Sequence, residues 1–282
     1  RIADAIRGLE TLHEKQRTHV EGQVALIDLY MQTGALDKAL ELAKDSNSSQ
    51  PGYLAIQAAL ARVQIARGDL AGARSTLGGM TRAAEFDAAA QYRIARLQMQ
   101  AGNPSGATYS LEKALQGDPG FLPARLMQGD MLLAEGAIDK AEVRAQELIK
   151  LPTAPAEAFR LAGDVAAARS QWPAAVTHYK TALSHGAGVD VAGRLYEALL
   201  RSGNKAQAKS SIEALVRERP RDLSMKLLLS QVQTDAGQLR EAKATLEAVL
   251  KVSESAAVLN NLANLQWQLK DPQAQQTAER AY

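Results

Sequence analysis

Apolar residues recur along this chain at helical spacing, in blocks split by a short turn signal. Leu26, Ile27, Leu29 and Tyr30 precede Gly34, and Leu36, Ala39, Leu40 and Ala43 follow it. Spacing of this kind places one apolar face on each of two consecutive α-helices. The first helix of a block is expected to run for about 14 residues and the second for about 12, near the mean helix length. Glycine between them accepts a positive φ and ends the first helix without a Cβ clash.

The signal repeats through the whole chain. An apolar segment, a glycine, four residues and an alanine occur as Gly34/Ala39, Gly68/Ala73, Gly102/Ala107, Gly136/Ala141, Gly203/Ala208 and Gly237/Ala242. Ser170/Ala175 fills the one gap, and Lys270 continues the series. Small residues stand seven positions before the turn, as Ala61, Ala95, Gly129 and Gly163. Together with the alanines after the turn they let the paired helices approach closely. Pro51, Pro119 and Pro220 fall near block ends, where proline cannot extend a helix. Asp118-Pro119 and Asp271-Pro272 read as helix starts.

A period of 34 residues with this pattern resembles the tetratricopeptide repeat (TPR), a helix–turn–helix unit. The resemblance covers essentially the whole chain. It implies an all-α fold, a right-handed α-solenoid of stacked antiparallel helix pairs. The expected blocks are 20–53, 54–87, 88–121, 122–155, 156–188, 189–222 and 223–255, with an incomplete one at 256–282. Residues 1–17 then correspond to the second helix of a repeat whose first helix is absent. Neither end carries the polar cap of an isolated array, so the chain reads as part of a longer one.

Composition narrows the chemistry. Cysteine is absent among the 282 residues, which removes disulfides, thiolate catalysis and Cys-type metal sites. Lys plus Arg number 33 against 31 Asp plus Glu, a net charge of +2, too small to mark a nucleic-acid or membrane surface. No apolar run is long enough for a transmembrane helix. The four histidines, His13, His19, His178 and His185, lack the i, i+3 or i+4 spacing of a metal pair. No phosphate-binding loop or nucleophile elbow is present, and Gly186-Ala187-Gly188 reads as a connector. The expectation is a non-catalytic protein without cofactor or metal.

What remains is a surface. In the TPR family the first helices line a concave groove, and the resemblance carries its groove positions onto this chain. They are Asp28, Arg62, Tyr92, Arg93, Arg96, Asp130, Arg160, Asp164, Arg194, Glu197, Asn260, Asn261, Asn264 and Trp267. Arg62, Arg93 and Arg96 beside Tyr92 would anchor an acidic peptide or an anionic glycan. A plainer reading pairs Arg62 with Asp28 and Arg96 with Asp130 along the groove wall. Asn260, Asn261, Asn264 and Trp267 suit a peptide backbone or a sugar ring. Their plainer reading has the amides bonding across repeats and Trp267 in the core.

The C-terminal strings Val258–Leu265, Lys270-Asp271-Pro272 and Ala278–Tyr282 are similar to bacterial PEP-CTERM system TPR-repeat lipoproteins. That resemblance implies a periplasmic or outer-membrane-anchored scaffold in an exopolysaccharide or protein-sorting system, and otherwise a cytoplasmic one. An alternative is a substrate-positioning arm of a larger polysaccharide synthesis or export protein. The expected partner is a protein or peptide in the groove, and nucleic acid is not expected.

Overall fold

The structure is a computed structural model that describes residues 1–281. Seventeen α-helices and no strand occur among the described residues. They cluster into two compact units, Arg1–Gln128 and the residues from Gly129 onward. The first unit holds α1 (Ile2–Lys15), α2 (Val20–Gln32), α3 (Leu36–Ser49), α4 (Leu54–Ala66), α5 (Leu70–Ala83), α6 (Ala88–Gln100) and α7 (Pro104–Gly117). Helix α8 (Leu122–Ala134) contributes residues to both units. The second holds α9 (Ile138–Ile149), α10 (Ala156–Ala168), α11 (Trp172–Ser184), α12 (Val189–Arg201), α13 (Lys205–Glu218), α14 (Leu223–Asp235), α15 (Leu239–Leu250), α16 (Ala256–Gln268) and α17 (Ala274–Glu279). Within each unit, substantial contacts join neighbouring helices or helices one removed, as in α6 with α7, α10 with α11 and α12 with α14.

The turns explain the period. Gly34, Gly68, Gly102, Gly136, Gly203 and Gly237 all adopt positive φ, and Ser170 and Lys270 do so at 58° and 55°. At each, the next N–H donates to the carbonyl five residues back, as from Ala35 to Tyr30 at 2.8 Å and Gln171 to Ala166 at 2.8 Å. This six-to-one bond satisfies a carbonyl that the helix end would otherwise leave open. Ser170 and Lys270 adopt the left-handed conformation without glycine's freedom. Ser170→Gly is therefore expected to raise the unfolding free energy by about 1 kcal/mol. A denaturation midpoint that does not rise would count against this strain.

Packing follows the small residues. Ala39, Ala73, Ala107, Ala141, Ala175, Ala208 and Ala242 are all fully buried. A larger side chain at any of them would separate the paired helices. Leu26, Ile27, Ile56, Leu77 and Ile94 fill the interior of the first unit, and Leu161, Leu199, Ile212 and Leu246 that of the second. Arginines tie successive pairs together. Arg74 donates to the carbonyls of Ala101 and Gly102 at 3.0 Å each, and Arg219 to those of Leu183 and Ala187 at 2.8 and 2.7 Å. These charge-assisted bonds satisfy carbonyls at helix ends and in turns.

Two sequence expectations are corrected. The leading helices from α2 to α16 have 13 residues each, whereas several second helices reach 14. The second helix continues until just before a proline connector: α3, α7 and α13 end two residues before Pro51, Pro119 and Pro220. Asp118-Pro119 does not start a helix. Asp118 terminates α7, and its carboxylate accepts from the Gly120 N–H at 2.8 Å, which forms a turn ahead of α8. Asp271 likewise accepts from the Gln273 N–H at 3.0 Å, ahead of α17.

Candidate functional site

In the first unit the leading helices α4 and α6 present small residues at Ala55, Ala58 and Ala90. Their short side chains leave a cavity of about 300 Å³, walled by Val24, Leu54, Met80, Ile94 and Leu97, with Arg62 and Arg93 also lining it. Arg62 pairs with Asp28 at 2.9 Å, the plainer of its two sequence readings. Arg93 and Arg96 are exposed and have no carboxylate partner among the described residues. Asp130, the acid expected for Arg96, is engaged by Arg160. Tyr92 packs edge-on against Phe121, with ring centroids 5.9 Å apart, so its ring is braced rather than free.

The second unit gathers five of the candidate residues around one cavity of about 550 Å³. Asp164, on α10, is the hub. Only 7% of its side chain is exposed, and it accepts from Arg160 at 2.7 Å, Arg194 at 2.8 Å and the Tyr179 hydroxyl at 2.8 Å. Arg160 also holds both oxygens of Asp130 at 2.9 Å. Burial alone would lower the Arg160 pKa, but Asp130 and Asp164 outweigh it and hold the guanidinium above its ordinary value. Burial, then the Asp164 carboxylate, pushes the Tyr179 hydroxyl up. Glu197 stays exposed and makes only a 3.5 Å pair with Arg201.

Sequence reasoning missed Trp172 and Tyr179, which reach this cavity from the second helix of their pair. A signal was present. Gly163 has no Cβ, and one built there would overlap the Tyr179 ring. Glycine rather than alanine at that repeat position is what admits the tyrosine.

On α16, Asn260, Asn261, Asn264 and Trp267 are all exposed. Trp267 is 77% exposed, so the core reading fails. Asn264 accepts from Gln268 of its own helix at 3.3 Å, and no bond from these amides to another helix occurs among the described residues. Spacings of three and four residues put Asn260, Asn264 and Trp267 on one side of the helix, opposite buried Leu262 and Leu265.

A further cavity of the first unit, about 540 Å³, is lined by Glu10, Glu14, Lys38 and Glu41 around Tyr30. The Tyr30 hydroxyl donates to Glu10 at 2.6 Å, and burial, then Glu10, raises its pKa to about 12. A phenol with a raised folded pKa stabilises the fold below its unfolded value and loses that contribution as pH climbs through the folded one. Stability is therefore expected to fall between about pH 10 and 12, and Tyr30→Phe should flatten that decline. Identical alkaline denaturation curves for the two proteins would refute it.

Among the described residues no group of three His, Asp or Glu could hold a metal ion, and no helix is long and apolar enough to cross a membrane.

Comparison with known proteins places this architecture. The tetratricopeptide repeat family model matches residues 58–120 and 227–282. No curated protein sequence matches the chain. Among solved structures, a tetratricopeptide repeat protein from Parabacteroides merdae is similar over 88% of this chain and 98% of its own, with 15% identity and a TM-score of 0.54. Yeast Tom70 is similar over 99% of this chain at 17% identity and a TM-score of 0.61, and the Cut9-Hcn1 hetero-tetramer of the APC/C over 100% at 15% and 0.50. The chain spans 58% and 52% of those last two matched chains. At such identities the likeness establishes the fold alone. The helix pairs, the left-handed turns and these matches together show an all-α fold of paired helices similar to that of tetratricopeptide repeat proteins, with the repeat model itself matched at residues 58–120 and 227–282.

Proposed function

We propose that the chain is a non-catalytic protein-interaction scaffold whose first unit holds an acidic peptide segment. An apolar side chain of the partner fills the 300 Å³ cavity between α2, α4 and α6, and an adjacent carboxylate pairs with Arg93 and Arg96. The observation that carries this is the exposed Arg93 guanidinium, left without a carboxylate on the wall of an apolar recess, with exposed Arg96 one turn along α6. By contrast Arg62, on the same cavity wall, and Arg67 are neutralised by Asp28 and Asp37. Arginine binds carboxylates through a rigid fork, and burial of an apolar group beside it supplies affinity.

The test uses a short peptide carrying leucine between two glutamates, and its counterpart with glutamines. The glutamate peptide is expected to bind the intact chain at least tenfold more tightly, and Arg93→Ala with Arg96→Ala to abolish the difference. Rising salt should weaken the glutamate peptide alone. Equal affinity of the two peptides for the unaltered protein would overturn the proposal.

The C-terminal strings that resemble PEP-CTERM system lipoproteins support placing this scaffold in a bacterial envelope, within exopolysaccharide or protein-sorting machinery. Fractionation of cells making the full-length protein is expected to recover it with the envelope, and recovery in the cytosol would overturn that placement. A polysaccharide synthesis or export domain elsewhere in the full-length sequence would instead support the substrate-positioning arm.

A further inference from the structure

Two residues on the wall of the second unit's cavity, an aromatic ring and a carboxylate, are approached by one arginine of the chain itself. The two are Trp172 and Glu197. Arg201 of α12 contacts both: its guanidinium carbon stands 6.0 Å from the centre of the Trp172 ring, and its Nη2 lies 3.5 Å from Glu197 Oε1. Both contacts are long. The first is at the outer limit of a cation–π interaction, and the second exceeds the 2.7–2.9 Å typical of a charge-assisted bond. The Arg201 side chain is 62% exposed, so water competes for it throughout.

The other charges of the cavity are committed. Asp130 and Asp164 have both oxygens engaged by Arg160, Arg194 and Tyr179. Three carboxylates face two guanidinium groups on the cavity wall, and Glu197 is the unmatched one. Its remaining partner is the loosely held Arg201. The apolar wall at Leu133, Ala134 and Ala167 suits the methylene stem of a long cationic side chain.

We propose that this cavity takes an arginine side chain of a partner protein, its guanidinium stacked on the Trp172 indole and paired with Glu197 in place of Arg201. A guanidinium fits better than an ammonium because it is planar, is weakly hydrated and forks onto a carboxylate while stacking on an aromatic face. Arg201, the group that now approaches both residues, has that chemistry. The proposal extends the scaffold reading to a cationic partner group, and its residues are separate from Arg93 and Arg96.

The probe is N-acetylarginine amide, with N-acetylcitrulline amide as its uncharged isostere, titrated into the intact ¹⁵N-labelled chain. The two tryptophans give two indole N–H resonances, and the one missing from Trp172→Phe belongs to Trp172. That resonance is expected to shift saturably with the arginine probe and at least tenfold more weakly with the citrulline one, while the Trp267 resonance stays still. Arg201→Ala, which removes the internal competitor, should tighten binding threefold or more, and Glu197→Gln should weaken it about tenfold. A purely structural role for Arg201 predicts no gain in affinity. No saturable shift, an equal response to citrulline, or weaker binding by Arg201→Ala would overturn the inference. Arg93→Ala with Arg96→Ala should leave this titration unchanged, so its failure and that of the acidic-peptide site are told apart.

Discussion

Replacing Asp164 with alanine is expected to lower the free energy of unfolding by about 3–5 kcal/mol, the range for breaking a buried charge pair by removing one partner. The carboxylate is nearly inaccessible and receives three donors. Its removal leaves the buried Tyr179 hydroxyl without an acceptor and Arg160, 15% exposed, with Asp130 alone. An unsatisfied buried donor carries its full desolvation penalty. The damage should stay local, because a stacked repeat depends mainly on its neighbours. Hydrogen exchange is expected to accelerate first in α10 to α12, ahead of the helices of the first unit. A loss below about 1 kcal/mol in a urea titration would reduce the network to the level of a surface pair.

The second large effect is expected at Gly117. It ends α7, and a Cβ built there would overlap the Phe86 carbonyl oxygen in the connector between α5 and α6. Backbone meets backbone, so no rotamer change relieves the clash. Gly117→Ala is expected to destabilise by about 3 kcal/mol, the upper end of the overpacking range. Lys113, whose ammonium lies 4.5 Å from the centre of the Phe86 ring, would lose that contact as the connector moves. Gly79→Ala is the matched control. It lies within α5 with nothing within 4 Å of the added methyl, so helix propensity should stabilise by up to about 1 kcal/mol. Opposite signs for two glycine-to-alanine changes, read from urea midpoints, would isolate the close approach from propensity. If Gly117→Ala also stabilised, the packing of α7 against that connector would be wrong.

The repeat was legible in the sequence because its marks are backbone requirements. Only a few residue types fit a left-handed turn, and only small ones fit between helices in contact. That is why Gly34 through Gly237 could be found by counting, and why Ser170 and Lys270 could be placed by phase although neither is glycine. The buried alanines after each turn were legible for the same reason. Partner choice among long side chains was not. Arg160 bonds Asp164 one turn along its own helix and also Asp130, thirty residues back. Sequence position allows both and ranks neither. Tyr179 and Trp172 lie on the second helix of their pair, outside the leading-helix positions that the repeat pattern marks, and only the missing Cβ of Gly163 opens the way for the tyrosine. Trp267 had two readings, a groove residue or a core one, and its phase on α16 decides between them: it stands on the same side as Asn260 and Asn264, facing out.

The pattern of contacts has a mechanical consequence. Within each unit a helix touches little beyond its neighbours and those one removed, so no distant clamp shares a load applied along the chain. Under tension the protein should yield in small steps, shedding helix pairs in turn instead of rupturing at once. Each step of 34 residues, the spacing from Gly34 to Gly68, would release roughly 110–120 Å of extended polypeptide, and the low barriers of such local unravelling should let the pairs re-form as the force relaxes.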